Sequence, residues 1–352
     1  MKGFNRGEWS ELYVALYLLE HPNLQIADSN LNVIQKDIFV LKDIIRPASS
    51  NIRYYAVALN EAESVPQTEK PASQEILISG TREKVYYEII NAPTGGGSFS
   101  FSGLSSSDHK GKLKAKSKIK ADLIANVDDL ITKQSIEVGY SIKSMMGSPS
   151  TLLNASSATN FEYVVHGLNK KEIQRINSIR TRTKLKDRLQ KIIDLGGIIK
   201  FQGMTNETFE KNLQMIDTQM PQIIGNVLLE SYKSGNKNLL YLFANSPLIK
   251  TESIAYKKLS DLLEAISFGM FPTKIWDGCL EVNGGILISK KDGNVVLLDS
   301  IYHKKEVQKF LVEQTRLDSP STSRYHMLEL REDDTKKGTY CFTLNLQIRY
   351  KH

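Results

Sequence analysis

Apolar residues at the start of the chain fall at helical spacing. Leu12, Leu16 and Leu19 recur three to four apart between Glu8 and Glu20, and His21-Pro22 closes the run. Residues 51–60 (NIRYYAVALN) predict a strand, and residues 62–76, polar with two prolines, a loop. From Gln74 to Ile90 the pattern fits a strand followed by a helix, with the boundary open. Pro93-Thr94-Gly95-Gly96-Gly97-Ser98 is the clearest break in the first third. In the middle, Ile119, Ala121, Leu123, Ala125 and Val127 alternate along one face. After a polar turn around Asp128 and Asp129, Ile136, Val138, Tyr140 and Ile142 alternate again, which predicts an antiparallel hairpin. The Ser-Pro-Ser-Thr stretch at 148–151 predicts the start of a helix. From Asn169 to about Gly269 the spacing is mainly helical. Residues 339–350 (TYCFTLNLQIRY) then alternate as a single strand, with Tyr340, Phe342, Leu344, Leu346, Ile348 and Tyr350 facing one way.

The expected organisation is a mixed α/β (α+β) protein. An N-terminal helix and strand region spans 1–95, a core 96–168, a basic and mainly helical region 169–270, and a β-rich C-terminal region 271–352. At 352 residues, with 41% hydrophobic and 24% charged positions, the chain can bury a core unaided. Its two cysteines, Cys279 and Cys341, exclude a disulfide scaffold and any CxxC zinc site, and suit a reducing cytoplasm. No run reaches the ~18 apolar residues of a membrane span, and no apolar signal segment opens the chain.

Charge changes the picture more. Lys and Arg number 46 against 39 Asp and Glu, a net charge of +7 that favours an anionic partner, although many basic proteins bind none. In HKGKLKAKSKIKAD, Lys110, Lys112, Lys114, Lys116, Lys118 and Lys120 occupy every second position. Extended, they form one row of about 33 Å, a fit to a duplex carrying a phosphate charge per ~1.7 Å; a solvated lysine loop or a protected edge strand is the alternative. A second cluster at 170–191 holds nine basic residues against Glu172 and Asp187 and reads either as a contact surface or as a solvated helix.

The hairpin also carries candidate chemistry. Asp122 lies on the polar face of its first segment, and Ser135, Glu137, Gly139, Ser141 and Lys143 share a face of the second. A carboxylate on one strand and a lysine on the next is the plan of metal-dependent phosphodiesterases, in which the acid holds Mg²⁺ and the lysine steadies charge on the phosphate. The spacing D-x(20)-S-x-K resembles the PD-(D/E)xK motif with serine at the second acid. Glu137 lies six residues from Lys143, roughly 20 Å along a strand, too far to substitute. A second carboxylate must come from elsewhere, Glu11 first, then Glu88 and Glu162. A surface salt bridge is the plain alternative for Asp122 and Lys143. The glycine run 95–97 lacks the Lys-Ser or Lys-Thr of a P-loop, and the histidines show no metal spacing.

The string GYSIKSMMGSPSTLLNASSATNF at 139–161 resembles the active-site block of the HpaII family of type II restriction endonucleases. GEWSELY (7–13), GGSFSF (96–101), IKADL (119–123), WDGCLEVNGG (276–285), DSPSTSRY (318–325) and LNLQIRY (344–350) agree in order along the chain. The resemblance implies a PD-(D/E)xK-like core and a prokaryotic, Mg²⁺-dependent enzyme cutting double-stranded DNA at a short palindrome, CCGG or a site containing it. It also implies a partner methyltransferase, and the palindrome allows a homodimer. It carries Asp122 and Lys143 over as catalytic residues, with Ser141 in the place of the second acid. In several such enzymes a glutamate near position 156 or 157 takes over; both positions here are serine, which brings Glu11 forward. The backbone carbonyl of Ile142 is expected to complete the metal site, and Ser141 to hold a metal-bound water. Ser150, Asn154 and Asn160 are candidates for phosphate or base contact, with capping as the alternative. Ser321, Ser323 and Arg324 form a second recognition candidate, since arginine can donate bidentately to guanine. A catalytically impaired DNA-binding protein on the same fold is the competing expectation.

Overall fold

Asn5 begins the first helix because its side chain accepts from the Glu8 N–H while Glu8 reaches back to the Asn5 N–H, a capping box. The helix, α1 (Arg6–Glu20), is buried on nearly every side, through Trp9, Leu12, Tyr13, Leu16 and Leu19 among others. The protein is described by a computed structural model over residues 5–46, 52–55, 81–92, 120–322, 325–333 and 338–351. The lysine row 110–118, the loop 62–76, the glycine-rich stretch 93–98, Ser323 and Arg324 lie outside the described residues.

Two compact units are discontinuous in sequence: the first draws on Met1–Ser150 and Leu280–Phe310, the second on Thr151–Cys279 and Leu311–Lys351. Unit 1 is built on an eight-stranded mixed sheet. Its strands are β1 (Ile26–Ala27), β2 (Val33–Gln35), β3 (Phe39–Arg46), β4 (Ile52–Tyr55), β5 (Leu123–Asp129), β6 (Gln134–Ser144), β10 (Gly285–Ser289) and β11 (Val295–Asp299). They lie in the order β2-β1-β11-β10-β6-β5-β3-β4. The expected hairpin is present, with Leu123 opposite Tyr140 and Asp129 opposite Gln134. On the far side of β6, β10 runs parallel, placing Ile286 beside Ser141 and Ile288 beside Lys143. The apolar alternation packs Leu123, Ala125, Val127, Val138, Tyr140 and Ile142 into one core with α1 and with Val85 and Ile89 of α2 (Thr81–Asn91).

Unit 2 holds two smaller sheets, and it corrects two expectations. The segment 148–151 does not open a helix: β7 (Thr151–Leu153) pairs with β15 (Ile348–Tyr350), and a sheet ladder outweighs the local Ser-Pro signal. One turn later Asn160–His166 forms β8. The helical middle is interrupted by β9 (Ile198–Met204), which pairs with β8. Residues 339–350 are two strands, not one. β14 (Tyr340–Asn345) pairs with β8 and with β13 (Arg331–Glu332), whereas β15 sits between β7 and β12 (Thr315–Leu317). The chain changes sheets at Leu346 and Gln347, where Leu346 N–H donates to Thr159 and the Gln347 carbonyl accepts from Asp318 N–H. The helices are α3 (Lys170–Asn177), α4 (Lys184–Asp194), α5 (Glu207–Ile216), α6 (Met220–Ser234), α7 (Leu239–Ala244) and α8 (Glu252–Phe268). A further helix, α9 (Lys304–Gln314), was not anticipated from the sequence. No described helix is long and apolar enough to cross a membrane.

Candidate active site

Asp122 stands at the head of β5, fixed there by its own N–H donating to the Tyr140 carbonyl at 2.9 Å. Its Oδ2 accepts from the Ile142 N–H at 2.7 Å and from the Ser141 hydroxyl at 3.1 Å. Lys143 brings its ammonium to 3.7 Å from the same oxygen and donates to the Ile142 carbonyl at 3.0 Å. Residues 122, 141 and 143 therefore share one polar face, as the alternation of side chains across a strand requires. The side chains of Asp122 and Lys143 keep 27% and 23% of their surface, enough for both to reach solvent. Ser141 is buried.

Asp122 Oδ1 forms no hydrogen bond among the described residues. Mg²⁺ binds through one or two carboxylates, keeps several waters and leans on substrate phosphates, so a carboxylate with one oxygen outside the hydrogen-bond network fits that ion. Among the described residues no three His, Cys, Asp or Glu side chains converge as a metal site. Glu11 is half-buried on α1, a helix that packs against β6. Glu88 is exposed on α2. Glu162, on β8 in unit 2, is paired with Arg331 at 2.7 Å.

A loop within the block WDGCLEVNGG anchors this face. The N–H of Lys120, two residues before Asp122, donates to Glu281 Oε2 at 2.6 Å. Gly139 N–H donates to Asn283 Oδ1 at 2.8 Å, and Gly284 N–H donates to the Gly139 carbonyl at 2.9 Å. A Cβ at Gly139 would lie 2.8 Å from the Glu281 carbonyl, so the loop crosses β6 on the face of Ser141 and Lys143, one pleat away. The signal was the block WDGCLEVNGG, in which an acid, an amide and two glycines precede a strand. Periodicity alone does not say which strand such a loop will cover.

Among the predicted DNA contacts, Asn160 is committed internally: its Oδ1 accepts from Asn345 at 2.7 Å, and Asn345 also binds the Ser156 carbonyl and Thr159. Asn154 is exposed just past β7, Ser150 is half-buried, and Ser321 is exposed.

A mixed sheet flanked by helices is the architecture of the restriction-endonuclease-like class. The chain belongs to the HpaII restriction endonuclease family, whose profile matches residues 5–350. It is 31% identical to the type II restriction enzyme HpaII of Haemophilus parainfluenzae, over 98% of this chain and 98% of that protein. No solved structure matches. The protein is thus a restriction endonuclease, a class whose substrate is DNA.

Proposed function

We propose that this enzyme hydrolyses both strands of DNA at a short palindrome, CCGG or a site containing it, in a Mg²⁺-dependent reaction that leaves 5′-phosphate and 3′-hydroxyl ends. The observation that carries the proposal is the approach of Lys143 Nζ to within 3.7 Å of the Asp122 carboxylate on one polar face. A bound Mg²⁺ would neutralise charge on the scissile phosphate and make a coordinated water more acidic. Asp122, with the Ile142 carbonyl, would hold that ion. Lys143 would place its ammonium against the non-bridging phosphate oxygens, where negative charge builds as water attacks and the P–O3′ bond breaks. Ser141 would fix the Asp122 rotamer. In this reading the enzyme works in a prokaryotic cytoplasm beside a methyltransferase of the same specificity, and a two-fold dimer matches the palindrome.

The test is digestion of a sequenced plasmid with Mg²⁺ and mapping of the ends. Asp122→Ala and Lys143→Ala should each lower cleavage by about 10²–10³-fold or more, with an unchanged circular dichroism spectrum. Full Mg²⁺-dependent cutting by either purified variant would remove the assignment. One feature, serine at position 141 in place of an acid, favours a second reading: a DNA-binding protein that no longer cuts. Tight, Mg²⁺-indifferent duplex binding with no cleavage by the native protein would select it.

A further inference from the structure

Unit 2 contains a cleft of about 270 Å³ between the start of α4, the α6–α7 connection and the segment after β12. Two signals that are far apart in sequence meet there. The basic stretch supplies Arg182, Lys184 and Lys186; the segment DSPST (318–322) supplies Ser319 and Thr322; Lys237 closes the rim. Arg182, Lys184 and Lys186 make no ion pair among the described residues. The cleft's one carboxylate, Asp318, is already neutralised, with Arg349 Nε at 2.9 Å, Arg316 at 3.5 Å and Lys237 at 4.0 Å. Burial pushes the nearby Tyr232 hydroxyl up to about 12, so it stays a neutral hydrogen-bonding group beside Ser319.

The floor of the cleft is apolar, with Leu185, Leu228 and Leu317, and its rim carries the three cations together with the hydroxyls of Thr183, Ser319 and Thr322; such a rim suits one compact, oxygen-rich anion. The volume falls below the ~300–1,000 Å³ of usual small-molecule pockets. We infer that this cleft holds a backbone phosphate of the DNA duplex, a contact carried by unit 2 and not by the unit bearing Asp122 and Lys143. The inference rests on the proposed action on duplex DNA. Its ligand is a phosphodiester, and the contact positions the duplex without reading its bases.

The test compares native enzyme with the triple variant Arg182→Gln/Lys184→Gln/Lys186→Gln. Duplex binding is measured by fluorescence anisotropy across a salt series without Mg²⁺, on a CCGG duplex and a scrambled one. A charge-matched control, Lys133→Gln/Lys211→Gln/Lys257→Gln, corrects for net charge. The pocket variant should bind both duplexes about tenfold more weakly, and its log K against log salt should be shallower by about 0.9 for one lost phosphate. The control should follow the native curve more closely. An affinity and slope equal to the control's overturn the inference, while native binding and cleavage leave the proposed function standing. A loss confined to the CCGG duplex also overturns it, because that is base contact. Inorganic phosphate that stabilises native protein against heat at micromolar concentration, and not the pocket variant, would assign the cleft to a free anion and overturn the duplex source. Native protein that binds no duplex at any salt overturns both readings together.

Discussion

At the scale of single residues, the site divides the two oxygens of one carboxylate. Asp122 Oδ2 takes the Ile142 N–H, the Ser141 hydroxyl and the approach of Lys143, while Oδ1 forms no hydrogen bond among the described residues. Ser141 thereby has a role that needs no negative charge. A hydrogen bond to a charged group contributes about 1.5–3 kcal/mol, so Ser141→Ala should slow single-turnover cleavage by up to about 10–100-fold, less than loss of Asp122. Cleavage by Ser141→Ala at the native rate would leave the hydroxyl as filler. That Asp122 and Lys143 share a face was legible in the sequence, because strand alternation fixes which side chains lie together. For Asn160 the sequence could not show its neighbour: Asn345, 185 positions away, donates to its amide oxygen. Nothing local in GSPSTLLNASSATN distinguishes an amide that will meet another amide from one facing outward.

At the scale of elements, what matters is how the strand bearing Asp122 is held against the one bearing Lys143. Their ladder is supplemented by the loop from Glu281 to Gly284, which grips Lys120 and Gly139 by three hydrogen bonds. Gly139 is required by that crossing. An added methyl would meet the Glu281 carbonyl oxygen, a backbone atom that cannot yield cheaply, at 2.8 Å and the Ala121 Cβ at 3.2 Å. Gly139→Ala should therefore destabilise the protein by about 1–3 kcal/mol in urea titration. Glu281→Gln, which keeps an acceptor for Lys120, should retain most cleavage activity, and Glu281→Ala should lose more. Equal activity in the two Glu281 variants would deny the loop a part in placing Asp122. Elements of strong local period, α1 and the hairpin, were readable from the chain. The strand at Ile198–Met204 was not, because a short strand between helices takes its identity from β8. The division of 339–350 into two strands was hidden for a related reason: the alternation continues through Leu346 while the partner strands change.

At the scale of the whole molecule, acid should act unevenly on the two units. The described carboxylates whose pKa values are depressed, Asp28, Asp129 and Asp292, all belong to unit 1. Each caps a turn. Asp129 is the most enclosed: burial alone would raise its value, but the Tyr302 hydroxyl at 2.6 Å, the Thr132 hydroxyl at 2.8 Å and the N–H groups of Ile131 and Thr132 outweigh that and hold it below the ordinary 3.8. A carboxyl depressed in the folded state contributes stability that is complete above its unfolded value and is lost as pH falls through its folded value. Asp129→Asn should thus be less stable than native protein at pH 7, and the gap should narrow below about pH 4 and close at lower pH. Paired urea titrations from pH 7 to pH 2.5 measure it directly. A gap that stayed constant over that range would mean that Asp129 holds its turn by shape and not by charge. Because the same unit carries Asp122 and Lys143, cleavage activity recovered after acid exposure should track the refolding of this sheet.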